Sequence, residues 1–294
     1  MSTNQSTRRA IAGELGLHRE PVLEALYPRL IRLVGLAAVA LILFFLILPT
    51  VIIIPMSLNE SAHLSFPPSG LTFKWYLAYL SDPDWLAATL FSLKIAVCTA
   101  VTSTFIGTAT ALSLVRGDLP FKGFVQAVVI SPMIVPHVVL GVALYLVFAP
   151  LELTGSLPGF LIGHTVLAVP FVVITVSASL QRLDPALELA AASCGASRIR
   201  CFIHVTLPNI APGIAAGAVF AFLASFDEAT VAFFISDIGG KSIGRKMFED
   251  IDFNLTPVIA AASTVIVAAS LLLIGIVHLA SPSKTSQNNQ EKEQ

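Results

Sequence analysis

Residues 33–54 read LVGLAAVALILFFLILPTVIII, an apolar run that contains no charged side chain. A helix of about 20 apolar residues crosses the hydrocarbon core of a bilayer, so this run is long enough to span a membrane. The polar segment before it carries five arginines, at positions 8, 9, 19, 29 and 32. That segment is too long for a cleavable signal peptide, and we predict that residues 33–54 form a permanent membrane-spanning helix.

The composition of the chain indicates that most of it lies in a membrane. Of its 294 residues, 55% are hydrophobic and 12% are charged, whereas about 25% of the residues in a soluble domain are charged. These values exclude a disordered chain, a nucleic-acid binder with a basic face, and a water-soluble globule. The three cysteines have no metal-ligand spacing, so we expect neither a disulfide framework nor a metal site.

Five further apolar runs follow the first and are separated by polar or turn-forming segments. They cover residues 85–115, 123–149, 157–180, 210–226 and 255–280. The run that ends at Phe226 resumes at 229–235, after the acidic pair Asp227 and Glu228. The sequence therefore predicts an all-α polytopic membrane protein with six transmembrane helices.

The distribution of lysine and arginine predicts how these helices are oriented. If the N-terminus is cytoplasmic, the inner segments hold twelve of these residues and the outer loops hold four. Cytoplasmic loops carry the excess of basic residues, so both termini are predicted to lie in the cytoplasm. The chain then divides into a cytoplasmic N-terminal segment at 1–32, a six-helix transmembrane domain at 33–280 and a cytoplasmic tail at 281–294.

The longest predicted cytoplasmic loop, residues 181–208, has the pattern of a short docking helix. Asp184 followed by Pro185 is typical of a helix start. Small apolar residues then recur at helical spacing on one shallow face, and Gly195 can take the positive φ that ends a helix. We expect a second helical turn at 197–202 and a break at Pro208, where the chain re-enters the membrane. Such a face is too weak to fold alone and suits close docking into a groove of another protein.

At these residues the chain resembles the inner-membrane permeases of binding-protein-dependent ABC importers. Their cytoplasmic signature is E-A-A-x3-G-x9-I-x-L-P, and Leu189-Ala190-Ala191, Gly195, Val205 and Leu207-Pro208 fall on its positions. Two positions depart from it, because Leu189 replaces the usual Glu and Val205 replaces Ile. The resemblance implies that the loop docks on an ATPase through Leu187, Glu188, Leu189, Ala190, Ala191, Gly195, Ala196, Val205, Leu207 and Pro208.

Four other segments resemble the C-type permease subunit of spermidine/putrescine importers: Phe66-Pro-Pro-Ser-Gly70, Trp75-Tyr76, Ser131-Pro-Met-Ile-Val-Pro136 and Ser225-Phe-Asp-Glu228. The resemblance implies the type I importer fold in a bacterial inner membrane. It also implies a heterodimer with a B-type permease, two cytoplasmic ATPase subunits and an external solute-binding protein. ATP and Mg would be bound by the ATPase, and this chain would be neither an enzyme nor a cofactor binder. Gly239-Gly240-Lys241-Ser242 mimics the end of a P-loop, but Ile235 stands where that motif needs glycine.

Phe226, Asp227 and Glu228 form the second candidate site. At 1.5 Å per residue, Asp227 lies about 26 Å along the helix from Ile210, near the outer end of the hydrocarbon. An ionisable residue at such a place suggests function, because exposing it to lipid is costly. The pair either lines a pathway for a small cation such as a polyamine, or merely ends the apolar run at the interface.

Other solutes and other classes of protein stay open as alternatives. A permease of the same family for ferric iron, an amino-phosphonate or an amino-acid derivative has no excluding residue here. A stand-alone secondary transporter or channel would favour internal repeats and midplane charges, which we do not find. An integral-membrane enzyme lacks a catalytic constellation of residues.

Overall fold

The computed structural model describes residues 21–236, 241–253 and 255–280. Gly239 and Gly240 of the P-loop-like segment, the predicted tail at 281–294 and the first 20 residues lie outside these ranges. The described residues form twelve α-helices and no strand. The helices are α1 Pro21–Ser57, α2 Lys74–Ser81, α3 Pro83–Arg116, α4 Lys122–Ile134, α5 His137–Phe148, α6 Leu157–Arg182, α7 Pro185–Ser193, α8 Arg198–Cys201, α9 Leu207–Phe226, α10 Thr230–Ile235, α11 Ile243–Phe253 and α12 Pro257–Ala280.

The chain divides into two units, residues 1–55 and residues 56–294. The first contains nearly all of α1, which begins at Pro21 and so before the predicted residue 33. Its stretch Arg29–Ser57 is long and apolar enough to cross a membrane. In the second unit α3, α6, α12 and the continuous helical stretch Arg198–Phe226 meet the same test.

The sixth span is a bent pair of helices, α4 and α5, and not the single run expected at 123–149. The two helices meet at an angle of 105° across Val135 and Pro136. Pro136 has no N–H to donate, and its ring pushes the preceding residue out of the helical region. Val135 accordingly has φ −70° and ψ 131°. The described part of the chain thus holds six candidate spans when the bent pair is counted as one.

The core of the second unit is the packing of α3, α6 and α9. Its buried side chains are Ala111, Ala168, Val172, Val176, Leu180, Ile210 and Ala221. Two glycines allow the close approach, because a Cβ at Gly107 or at Gly217 would lie 2.6 or 3.0 Å from atoms of Val172. Small residues at helix crossings are the usual basis of helix association in membranes.

At the predicted outer end, α11 is anchored to the span α3. The backbone N–H of Ile243 donates to Ser92 Oγ at 2.8 Å, and Lys241 and Arg245 both pair with Glu249. Partial burial raises the pKa of the Glu249 carboxyl, but the hydrogen bonds and charges of Lys241 and Arg245 outweigh it, so the pKa lies below its ordinary value.

The loop between α1 and α2 is organised by one buried side chain, Asn59. Its Nδ2 donates to Ser65 Oγ at 2.7 Å, and its Oδ1 accepts from the backbone N–H of Ser69 at 2.9 Å. The indole N–H of Trp75 donates to the backbone oxygen of Asn59 at 2.7 Å. These bonds hold the segments around Ser69 and Trp75 together.

Candidate functional site

The loop 181–208 folds into the short helix that its sequence predicts. Asp184 Oδ1 accepts from the backbone N–H of Ala186 at 2.9 Å and begins α7. The helix ends before Gly195, whose φ is +84°, and the backbone N–H of Ala196 donates to the oxygen of Ala191 at 3.0 Å. Ser197 then begins the second helical turn, α8. The predicted start, end and second turn are confirmed.

The apolar side chains of α7 face away from the rest of the chain. No residue of α7 is buried, and Leu187 and Leu189 are 49% and 68% exposed. Ala190 and Gly195 are exposed as well, whereas Ala191, Ala196 and Val205 are half-buried. We call the surface formed by the exposed residues Leu187, Leu189, Ala190 and Gly195 the coupling surface. It is apolar and includes small residues, as a docking face for another protein requires.

The expected break at Pro208 is wrong. Helix runs without interruption from Arg198 to Phe226, with a π-helical turn at Phe202–Thr206 and Pro208 in the first turn of α9. A proline is tolerated in a membrane helix where the local hydrogen bonding is adjusted, and the π-turn immediately before Pro208 makes that adjustment. The coupling loop is therefore joined rigidly to α9.

Glu188 fastens the coupling loop to the ends of two spans. Its Oε2 pairs with Arg116 Nε at 3.1 Å, and its Oε1 accepts from Thr206 Oγ1 at 2.7 Å. Arg116 is the last residue of α3, and it also donates to the backbone oxygens of Leu180 and Leu183 at the end of α6, at 3.2 and 3.0 Å. Basic side chains at helix ends satisfy such free carbonyls. We call Arg116, Glu188 and Thr206 the latch.

The acidic pair lies at the opposite end of α9, in a break between α9 and α10. Glu228 is turned inward, with its side chain 6% exposed. Its Oε1 accepts from the backbone N–H of Val231 at 2.8 Å, and its Oε2 pairs with His137 Nδ1 at 3.0 Å. Asp227 is exposed. Both acids lie at the end of the helix, as the sequence predicts, and their environments differ.

A cavity of about 710 Å³ opens beside this break. Three phenylalanines, Phe171, Phe220 and Phe226, line it together with His137, Asp227 and Glu228. The rings of Phe171 and Phe220 stack with centroids 6.5 Å apart. Carboxylates attract cations, and aromatic faces add a cation–π attraction for an ammonium group. The arrangement is therefore suited to a small organic cation that carries amino groups.

A further polar contact joins α6 to α9 near the break between α9 and α10. His164 of α6 is 2% exposed, and its Nδ1 lies 2.8 Å from Ser225 Oγ, three residues before Glu228. Among the residues that the structure describes, no group of three His, Cys, Asp or Glu side chains is placed to hold a metal ion.

Sequence reasoning missed four residues of these sites: Arg116, Thr206, His137 and His164. Each meets a partner from a different part of the chain, so no local pattern marks it. His137 directly follows Val135-Pro136, but the bend at that place depends on how the spans pack, so the sequence alone does not mark it.

Comparison with known proteins shows that the chain is similar to transport proteins. Residues 103–282 match the family described as "binding-protein-dependent transport system inner membrane component". The spermidine/putrescine transport system permease protein PotC of Escherichia coli K12 is 30% identical over 244 residues, which cover 83% of this chain and 92% of PotC. The putrescine transport system permease protein PotI of the same organism is 30% identical over 240 residues, with 79% and 84% of the two chains covered.

Solved structures give the same fold at lower sequence identity. A chain of the bacterial alginate ABC transporter, solved in complex with an alginate-bound periplasmic protein, aligns with a TM-score of 0.69 at 16% identity, covering 91% of this chain and 99% of that one. A chain of the MetNI methionine ABC transporter in an inward-facing conformation aligns with a TM-score of 0.53 at 17% identity, covering 68% and 95%.

Proposed function

The chain belongs to the family of inner-membrane components of binding-protein-dependent transport systems, and from this premise we propose that it carries a polyamine, such as spermidine or putrescine. It is a permease subunit of an ABC importer and lies in the inner membrane. In this proposal it forms half of the translocation pathway for a small cationic solute. The observation that carries the proposal is the cavity beside Asp227, in which two carboxylates and three aromatic rings meet.

Asp227 is the cation acceptor in this pathway. It is exposed at the cavity wall, and among the described residues no hydrogen bond or ion pair to its carboxylate is found. A free carboxylate beside hydrocarbon is costly to maintain, so its presence needs a function. Glu228, by contrast, is already paired.

The importer is proposed to contain four kinds of subunit. A second, B-type permease completes the pathway, two cytoplasmic ATPase subunits bind ATP and Mg, and an external binding protein delivers the solute. PotC and PotI are named as permease proteins of transport systems, and the alginate transporter was solved in complex with a periplasmic protein. The coupling surface on the loop 184–208 is where the ATPase would dock, through Leu187, Leu189, Ala190 and Gly195.

Neutralising the acids tests the proposed solute. In proteoliposomes that contain the complete importer, Asp227→Asn should reduce the initial rate of radiolabelled putrescine uptake by at least about tenfold, which corresponds to about 1.4 kcal/mol. ATP hydrolysis stimulated by the loaded binding protein should persist, because the coupling surface is intact.

Asp118→Asn is the matched control, since Asp118 is an exposed acid in the loop between α3 and α4. It should leave uptake unchanged. If the double variant Asp227→Asn/Glu228→Gln imports putrescine with parental rate and apparent affinity, the acids do not line the pathway. If the wild-type importer imports no polyamine at all, the proposed solute is wrong.

A further inference from the structure

His137 and Glu228 connect two breaks in the membrane helices. His137 is the first residue of α5, directly after the 105° bend at Val135-Pro136. Glu228 lies in the break between α9 and α10. Their side chains meet at 3.0 Å between Nδ1 and Oε2 on the wall of the cavity. The contact between these two side chains thus joins two discontinuous spans.

The two partners differ in how freely they can move. The Glu228 side chain is 6% exposed and is held by the backbone N–H of Val231, whereas the His137 side chain is 48% exposed. One turn after His137, α5 packs closely against α10, because a Cβ at Gly141 would lie 2.6 Å from the ring of Phe234. The backbones are therefore fixed, and the imidazole is the part with room to leave, toward the cavity.

We propose that His137 is a displaceable counter-ion of Glu228 and thereby determines which cationic solutes pass through the cavity. With the pair closed, the cavity offers one free carboxylate, that of Asp227. A solute with a second ammonium group displaces the imidazole and engages Glu228 as well. The inference rests on the proposed function and adds a selection for solutes with two or more amino groups.

This competition depends on the charge of the side chain at position 137, because a cation there competes with an ammonium group for Glu228 more strongly than a neutral group does. The titratable groups among the described cavity-lining residues are His137, Asp227 and Glu228. The other walls contribute Met133 from α4, Leu167 and Phe171 from α6, and Ile266 and Ser270 from α12, none of which titrates.

The test measures putrescine uptake per ATP hydrolysed by the reconstituted importer, with saturating binding protein. In His137→Lys, which places a charged amine beside Glu228, this ratio should fall by about tenfold relative to the wild type. In His137→Gln, whose uncharged amide competes less with an ammonium group, the ratio should not fall. His63→Lys, at an exposed histidine in the loop between α1 and α2, should keep the wild-type ratio.

A monoamine, n-butylamine, probes the selection separately. His137→Gln should import it faster than the wild type does, since Glu228 is no longer occupied. If both His137 variants assemble with the ATPase and keep the wild-type uptake of putrescine and of n-butylamine, the inference is overturned while polyamine transport stands. If the wild type imports no polyamine, both the proposed function and this inference fail.

Discussion

Gly195 shows how one residue shapes the coupling surface. Its φ of +84° lies in the left-handed region, where most side chains cost roughly 1–2 kcal/mol. A Cβ there would meet no atom within 4 Å, so the space around it is open toward the solvent. The glycine is thus required by backbone conformation, and a side chain added there would project into whatever docks on the loop.

Replacing Gly195 by aspartate should uncouple ATP hydrolysis from import. A carboxylate at the docked surface would be buried without a partner, so the stimulation of ATP hydrolysis by the loaded binding protein should fall at least about tenfold, or about 1.4 kcal/mol. Gly195→Asn is the matched control, because asparagine and aspartate both tolerate a positive φ and differ in charge. The asparagine variant should keep most of the stimulation. An aspartate variant that imports solute at the parental rate would show that nothing docks on this surface.

At the scale of elements, the latch joins the coupling loop to α3 and α6. Arg116 and Glu188 are both about one-quarter exposed, so their attraction is stronger than that of a fully exposed pair and weaker than that of a buried one. Thr206 extends the connection to the rigid helix that continues into α9. The latch therefore connects α7 to three spans at once.

Breaking the latch should lower import per ATP without abolishing ATP hydrolysis. Arg116→Gln and Glu188→Gln should each reduce this ratio by about fivefold, equivalent to about 1 kcal/mol. Because both variants remove the shared Arg116–Glu188 pair, the double variant should lose less than the two single losses combined. Lys122→Gln, an exposed basic residue at the start of α4, should have no effect. Losses that add in the double variant would mean that the two residues act independently.

The elements that were predictable are those set by length and local chemistry. The bilayer thickness determines where an apolar run becomes a span, and the Asp184 cap and the Gly195 turn depend on neighbouring backbone atoms alone. The sharp bend at Pro136 and the continuity of the helix through Pro208 were not predictable, because a proline in a membrane helix is accommodated differently in each setting. The partners of Glu188 and Glu228 come from other spans, so their pairing depends on the packing of α3, α5, α6 and α9.

At the scale of the whole molecule, the native cysteine Cys194 offers a test of orientation. It is exposed at the end of α7, beside the coupling surface, whereas Cys98 and Cys201 are half-buried. The excess of lysine and arginine predicts that this end faces the cytoplasm. A membrane-impermeant maleimide should therefore label Cys194 in inside-out vesicles and not in intact spheroplasts, in a variant with Cys98→Ala and Cys201→Ser.

The same thiol tests whether a partner covers the coupling surface. Co-expression of the ATPase subunits should slow the labelling of Cys194 in inside-out vesicles. Ala62→Cys, at an exposed site in the loop between α1 and α2, should show the opposite sidedness and no protection. If Cys194 is labelled from outside, the orientation is the reverse of the predicted one. If the ATPase subunits do not slow the labelling, α7 is not the docking site. The latch would then stabilise the fold without transmitting motion.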